Sequence, residues 1–322
     1  MSVSPHPYKS ERTDIFVGTE TEQKSEAAVT RYPGFLTGSQ QVADPEVEWI
    51  EERVVGGDRE VFQHVEGPRS FDGGNWTVVP FDGWPIAWLL GSETVNTSTT
   101  DVEPKMDGAP PTATVEANYY GDGGGTQDDF SRAFVGVAPD SGDIQVNNEE
   151  ELEISLSTQA LGLTADTLDG TRTPTTGIDL AQAQPWTFKS AASNLTVFGT
   201  SFARVEDFQL SINNNISVER YIESAEAPEP YEVLYGNLDY TLDLDIAITD
   251  DSLFQEVVNP TSGGFAVDAV FEKPGGDQLS LSVGEARMEN ADHEIPDDGK
   301  ITVSPSIVPR TVGATVPGGP YL

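Results

Sequence analysis

The chain of 322 residues carries 54 acidic side chains against 17 basic ones, a formal charge of −37, and still holds 37% apolar and 9% aromatic residues. That composition allows a sizeable core, excludes the basic patch that tight nucleic-acid binding needs, and, with no cysteine, excludes disulfides, thiolate nucleophiles and sulfur-ligated zinc. Arg outnumbers Lys 11 to 6 and the acid is spread over the whole length, which resembles proteins of extreme halophiles, where about 1 M salt shortens the Debye length to about 3 Å and screens self-repulsion; an acidic binding protein of an ordinary organism is the alternative.

The amino-terminal MSVSPHPYKSERTDIF lacks the apolar stretch of an export signal, and no window approaches the roughly 18 apolar residues of a membrane span, so a soluble protein is expected. Residues 1–30 read as a polar N-terminal arm. Strands are expected near 46–54 and 69–79, with the polar 55–68 between them as a further arm. FDGWPIAWLLGS, 81–92, then has the grammar of a short helix: Asp82 as candidate N-cap, Pro85 in the first turn and Gly91 past the end. About seven residues cannot hold a helix alone in water, so Trp84, Ile86, Trp88, Leu89 and Leu90 must be buried against something else.

Strands follow near 113–120, 132–138 and 151–157, and the Thr-, Gly- and Asp-rich 164–182 reads as a linker. Further strands are expected near 202–212 and 240–249, separated by another polar arm at 223–234. In YTLDLDIAIT, 240–249, Tyr240, Leu242, Leu244, Ile246 and Ile248 take one face and Thr241, Asp243, Asp245 and Thr249 the other. TDDSLFQEVV, 249–258, predicts a second helix capped by Asp250 or Asp251, with Leu253, Phe254 and Val257 as a narrow apolar stripe. Strands near 265–272, 278–288 and 300–304 complete a mainly β chain, and the residues after 305, with 311–322 as a C-terminal tail, again look too polar for a core.

The surroundings of the two helices echo one another. Val115-Glu116-Ala117-Asn118-Tyr119 recurs as Val267-Asp268-Ala269-Val270-Phe271, Val135-Gly136-Val137-Ala138 as Val283-Gly284-Glu285-Ala286, and Leu152-Glu153-Ile154-Ser155 as Ile301-Thr302-Val303-Ser304. The offsets are 152, 148 and 149, which predicts a tandem duplication with β units at 31–163 and 183–310.

Catalytic signatures are missing. His6, His64 and His293 stand apart without a second histidine at ligand spacing, and neither a nucleophile elbow nor a phosphate loop occurs. GDGGGTQDD, 121–129, and DSGDIQVNNEEE, 140–151, gather carboxylates and glycines but match no calcium-loop spacing, so solvated loops are expected there. Trp49, Trp76 and Trp186 read as core. No cofactor or metal is implied, and an acidic hydrolase has no constellation to support it.

In this order of elements the chain resembles the tail tube proteins of long-tailed viruses over roughly 31–310. The resemblance is carried by VEWIEERV, VGGDREVFQHVEGPRS, FDGGNWTVV and GWPIAWLLGS, and again by FARVEDFQLSINNNISVERYI, EVLYGNLDYTLDLDIAIT and DDSLFQEVV. It implies a duplicated β-sandwich that contributes strands to a closed barrel, each unit flanked by one short helix, with 84–90 covering the flank of the sheet. Family rings need six such units, so three chains per ring are expected, with six chains as the alternative. The resemblance further implies stacked rings in a virion tail, assembly in the host cytoplasm, other tail proteins at the tube ends, no membrane, and genome DNA that passes without tight binding. The polar face of 240–249 would then line the lumen through Asp239, Thr241, Asp243 and Asp245, with Asn75, Thr77, Asp207 and Gln209 on the equivalent strands. Arg59, Phe62, His64, Arg69, Tyr221 and Tyr231 would lie in arms between subunits or rings. The acidic composition suggests a virus of a salt-loving archaeon. A surface-layer or spike-like β-sandwich adhesin of a halophile is the competing reading, favoured by sequons at Asn75, Asn96, Asn194 and Asn215.

Overall fold

Period-two alternation dominates the sequence and the structure alike. The computed structural model describes residues 13–29, 31–52, 63–72, 74–119, 130–147, 151–164, 184–187, 194–201, 205–221, 229–247, 251–294 and 301–322. Its first half contains β1 (Thr13–Thr19), β2 (Gly34–Gln41), β3 (Asp44–Glu52), β4 (Gln63–Asp72), β5 (Gly74–Pro80), helix α1 (Trp84–Leu90), β6 (Gly91–Val95), β7 (Thr99–Pro104), β8 (Ala113–Tyr119), β9 (Phe130–Asn147), β10 (Glu153–Gln159) and β11 (Gly162–Leu163). The second half contains β12 (Asn194–Val197), β13 (Thr200–Ser201), β14 (Val205–Asn213), β15 (Ser217–Glu219), β16 (Glu232–Leu234), β17 (Asp239–Ala247) and helix α2 (Ser252–Val258). It ends with β18 (Phe265–Glu272), β19 (Gln278–Met288), β20 (Asp292–Glu294), β21 (Thr302–Ser304), β22 (Ser306–Val308) and β23 (Thr311–Pro317).

All pairings among these strands are antiparallel. One inner ladder runs β2·β5·β10·β9·β14·β17, continues to β21 and β22, and finishes on β20 and the end of β19. Two outer ladders lie over it, β1·β8·β9·β11 and β13·β12·β18·β19·β23·β7·β6. Strands β9 and β19 belong to both layers. Each carries a bulge where it passes from one to the other, marked by the register shift opposite Ala113/Val115 in β8 and opposite Phe265/Val267 in β18. The bulged residues have positive φ, 63° at Gly136 and 48° at Glu285. The corresponding offset is 285 − 136 = 149, so the sequence echo read at 148 was one residue out of register.

The connections recur between halves. β2·β5 has its counterpart in β14·β17, β5·β10 in β17 with β21 and β22, β8·β9 in β18·β19, and β9·β11 in β19·β23. Between β2 and β5 stands the separate hairpin β3·β4, and between β14 and β17 the shorter hairpin β15·β16. The main core joins both halves, as when Phe208 of β14 meets Phe271 of β18 edge to face at 5.9 Å, and a small second cluster gathers Ala138, Leu161, Ile216 and Val233.

Helix α1 is the densest part of that core. All seven of its residues are buried, Trp88 stacks on Trp84 at 4.8 Å, and Trp76 of β5 closes on Trp88 at 5.5 Å. Each indole N–H finds an acceptor: Thr19 Oγ1 for Trp84, Pro111 O for Trp88 and Thr158 Oγ1 for Trp76. The cap position is Gly83 instead of Asp82, whose Oδ1 accepts the Trp84 N–H at 2.9 Å from one residue further out. Gly91 ends the helix at φ 89°, and a Cβ there would sit 2.3 Å from the Tyr235 hydroxyl, so both conformation and space demand glycine. Helix α2 is less covered. Leu253 is buried, Phe254 and Val257 are half-buried, and Val258 is 72% exposed. Glu256 is buried beside the expected stripe of Leu253, Phe254 and Val257 and accepts the Thr261 N–H and hydroxyl at 2.8 and 2.6 Å.

Several expectations give way. The N-terminal arm includes β1, whose Ile15, Phe16 and Val17 are buried as it pairs along β8, and the expected C-terminal tail includes β23, in which Val312, Ala314 and Val316 are buried between β19 and β7. A short apolar run in β1 and a short alternating strand in β23 are hidden in a polar average. Residues 140–147, expected as a loop, continue β9. The single strand expected at 69–79 is the end of β4 and then β5. Trp76 and Trp186 are core, but Trp49 on hairpin β3·β4 is 59% exposed. Trp186 holds the halves together: its carbonyl accepts the Leu152 N–H, Thr187 bridges Glu272, and the Lys273 ammonium lies 3.8 Å from the indole centroid.

Candidate functional site

The inner ladder has two unlike faces, and cross-strand register brings the four polar residues read from the alternation of 240–249 and the four read from equivalent strands onto one of them. One row across the strands reads Gln41, Asn75, Ser157, Ser141, Asn213, Asp239. The next reads Thr37, Thr77, Ser155, Asp143, Ser211, Thr241. A third reads Glu153, Gln145, Gln209, Asp243, Ser306, and a fourth Asn147, Asp207, Asp245. On the opposite face the intervening rows are Val78, Ile154, Ile144, Leu210, Leu242, Ile307 and Val146, Phe208, Leu244. One side is polar across both halves; the other is core.

Exposure follows this division. Asn75, Asp207, Asp239 and Asp243 are exposed, Thr77, Gln209, Thr241 and Asp245 are half-buried, and Leu210, Leu242 and Leu244 are buried. Side chains knit the rows together. Thr77 and Ser155 share a hydrogen bond at 2.9 Å, Ser211 donates to Asp143, Asn215 donates to Asp239 at 2.9 Å, and Ser304 donates to Asp245. The middle strands β9 and β10, with Ser141, Asp143, Gln145, Glu153, Ser155 and Ser157, were missed as part of this face. Their signal was present in Asp143-Ile144-Gln145-Val146, but the preceding Pro139-Asp140-Ser141-Gly142 reads as a turn.

Like charges are set close together here. Asp207 lies directly opposite Asp245, an arrangement that weakens a ladder. Partial loss of solvent around the carboxyl first, and the nearby Asp245 second, raise Asp243 above its ordinary range although the residue as a whole is exposed. The folded state therefore binds this proton more tightly than the unfolded chain, giving stability that is present below the ordinary aspartate range and lost as pH rises through the raised value. Asp243→Asn should flatten the melting midpoint against pH across that window. At neutral pH it should raise the midpoint by about 1–2 °C, since exposed electrostatics contribute only a fraction of a kcal/mol; a steeper pH dependence than the parent's would contradict the assignment.

Of the expected arm residues, the described ones belong to no strand of this ladder. Arg59 and Phe62 fall outside the described residues. His64 is exposed on β4 opposite Glu51. Arg69 of β4 pairs with Glu66 and, at 3.6 Å, with Glu229, which also takes Lys24 at 3.2 Å, so one carboxylate links the two hairpin regions. Tyr221 and Tyr231 are both exposed and meet edge to face at 5.2 Å beside β15·β16. Gln23 completes the link by donating to the Val233 carbonyl and accepting its N–H, each at 2.9 Å.

A family model described as phage tail tube protein matches residues 10–317. No curated protein matches the chain.

Proposed function

The chain belongs to the phage tail tube protein family, a structural component of the virion tail, and from that premise we propose that it polymerises into stacked rings whose bore carries the genome. The observation that carries this reading is the continuous polar face of the inner ladder, drawn from both halves and backed by the main core. Turned inward, its carboxylates repel the phosphate backbone while its hydroxyls and amides carry no charge to neutralise it, so DNA slides without tight binding. Asp239, Thr241, Asp243, Asp245, Asn75, Thr77, Asp207 and Gln209 are its lumen residues in this reading. The recurrent pairings and the matching bulges support two tube units, 31–163 and 183–310, joined by 164–182. Six units to a ring then mean three chains. His64, Arg69, Tyr221 and Tyr231, on or beside the projecting hairpins, together with Arg59 and Phe62, belong to contacts between subunits or successive rings, and other tail proteins close the tube ends. The role is structural and not catalytic. Assembly takes place in the cytoplasm of the host, read from the acid excess as a salt-loving archaeon.

Negative-stain microscopy of the purified protein tests this. Rings or tubes with a central channel are expected in molar salt, and their loss on dilution, as the Debye length grows from about 3 Å towards about 30 Å and the −37 charge is unscreened. Separate particles without rings at every salt concentration would overturn the tube and favour the adhesin.

A further inference from the structure

Glu20, one residue past the end of β1, is a carboxylate buried outside the polar face, with only 8% exposure. Both its oxygens are filled. It accepts the Thr112 and Thr114 hydroxyls at 2.7 and 2.9 Å, the Gly136 N–H at 3.0 and 3.2 Å and the Lys24 N–H at 3.1 Å. Its own N–H goes to the Thr112 carbonyl. Loss of solvent pushes the carboxyl upward and the four donors pull it back. Because β8 and the bulge of β9 supply those donors, Glu20 is pinned to the body of the chain. What it fixes there is the loop 20–24, and this loop grips a different part of the molecule. Gln23 exchanges two hydrogen bonds with the backbone of Val233 in β16, each at 2.9 Å. Lys24 donates to the Pro230 carbonyl and pairs with Glu229, both at 3.2 Å, and Glu229 takes Arg69 of β4 at 3.6 Å. Lys24 has φ 64°, a conformation rare outside glycine, so the loop is held in this shape at some cost. The apolar seat beneath β15·β16 is only Ala138, Leu161, Ile216 and Val233. The polar grip is therefore a large share of what holds this hairpin to the body.

We infer that loop 20–24 is a latch, anchored by Glu20, that couples hairpin β15·β16 to hairpin β3·β4 through Glu229. Steadying either hairpin steadies the other, since coupling of this kind is reciprocal. The two joints of the latch respond differently to salt. The Glu20 anchor is buried and little screened. The Arg69–Glu229 joint, with side chains 41% and 25% exposed, is weakened as the Debye length falls from about 10 Å at about 0.1 M salt to about 3 Å at about 1 M. Salt thus loosens the bridge between the hairpins while the loop stays seated. The latch is a property of the single chain and does not depend on the ring; in a ring, a contact made on one hairpin would order the other.

Hydrogen exchange of the whole chain, read by mass spectrometry, tests the latch. Glu20→Gln keeps the shape but turns an NH2 group towards the donors and leaves buried N–H or O–H groups without an acceptor. Exchange should rise by about tenfold or more in peptides covering 215–221 and 229–236. It should rise by a smaller factor in β3·β4 and stay unchanged in β17. Arg69→Met removes only the outer joint. In about 0.1 M salt it should speed exchange in 229–236 by about two- to fivefold, although Arg69 lies outside that hairpin, and by less in about 1 M salt. Combined with Glu20→Gln it should add nothing, because the joint it removes is already open. Lys24→Met, which cuts the loop from Glu229 and spares the anchor, takes the place of Glu20→Gln in the same cycle if that variant does not fold. Faster exchange in every peptide alike, additive effects in the double variant, or 229–236 unmoved by Arg69→Met in about 0.1 M salt would overturn the latch. None of these outcomes bears on whether rings form, so the tube reading stands or falls separately by microscopy.

Discussion

Trp88→Ala should destabilise the folded chain by about 3–5 kcal/mol, the usual range for removing a large buried aromatic. Trp88 has 0% exposure, lies between Trp84 and Trp76, and donates its indole N–H to the Pro111 carbonyl at 2.9 Å. Truncation opens a cavity in the middle of helix α1 and leaves that carbonyl without its donor. A helix of seven residues has no stability of its own to absorb the loss, and β6 begins directly at Gly91, so the effect should spread into the outer ladder. Trp49→Ala is the matched control. The same residue type is 59% exposed on β3, where substitutions generally stay within about 0.5 kcal/mol. Denaturant melts of both variants in molar salt decide the matter: equal midpoints for Trp88→Ala and the parent would contradict the burial of α1.

What could be read from the sequence depended on whether a residue's environment is local. Strand β17 was legible because its alternation is unbroken and its apolar face enters the core, so chemistry and position agree at every residue from Asp239 to Ile246. Helix α1 was legible because Pro85 and Gly91 punctuate a run that has no other means of escaping water. Trp49 was not. Trp49 and Ile50 are adjacent in a strand and must point to opposite faces, and whether either face is covered depends on a layer that no neighbouring residue specifies. The second half of β9 was lost for the opposite reason: Asp140, Ser141 and Gly142 have turn chemistry, yet Ser141 and Gly142 are paired on both sides, with β10 and β14, and Asp140 is taken up as a bulge in the β10 pairing. The bulge in β19 shows a third limit. Letter matching placed its glycine at 284, but the positive φ falls on Glu285, where the backbone is fixed by pairing and the residue type follows at some cost. Of the lumen candidates, the four on β17 came from alternation itself, and the four on β5 and β14 from equivalence. The face as a whole required the register.

Asp243→Lys combined with Asp245→Lys should leave rings and tubes formed while cutting infectivity by orders of magnitude. Both positions lie on the polar face, opposite Gln209 and Asp207, so lysine there displaces no core atom, and at 245 it replaces a like-charge pair with an opposite one. Folding and assembly therefore have no reason to fail. In the bore the consequence is different. In the proposed three-chain ring, two lysines per chain would put about six cations around the passing duplex, and each phosphate neutralised releases about 0.9 of a condensed counterion, a favourable term the wild-type surface denies. Summed over stacked rings, DNA that slid freely would be held at each level. The neutral pair Asp243→Asn with Asp245→Asn separates charge from shape: it removes repulsion without adding attraction and should keep infectivity close to the parent's. Particles counted by microscopy and titred in parallel distinguish a tube that does not form from one that does not release. If this strand faced outward, the lysines would meet only solvent, and normally assembled, fully infectious particles carrying the double lysine change would place the polar face outside the bore.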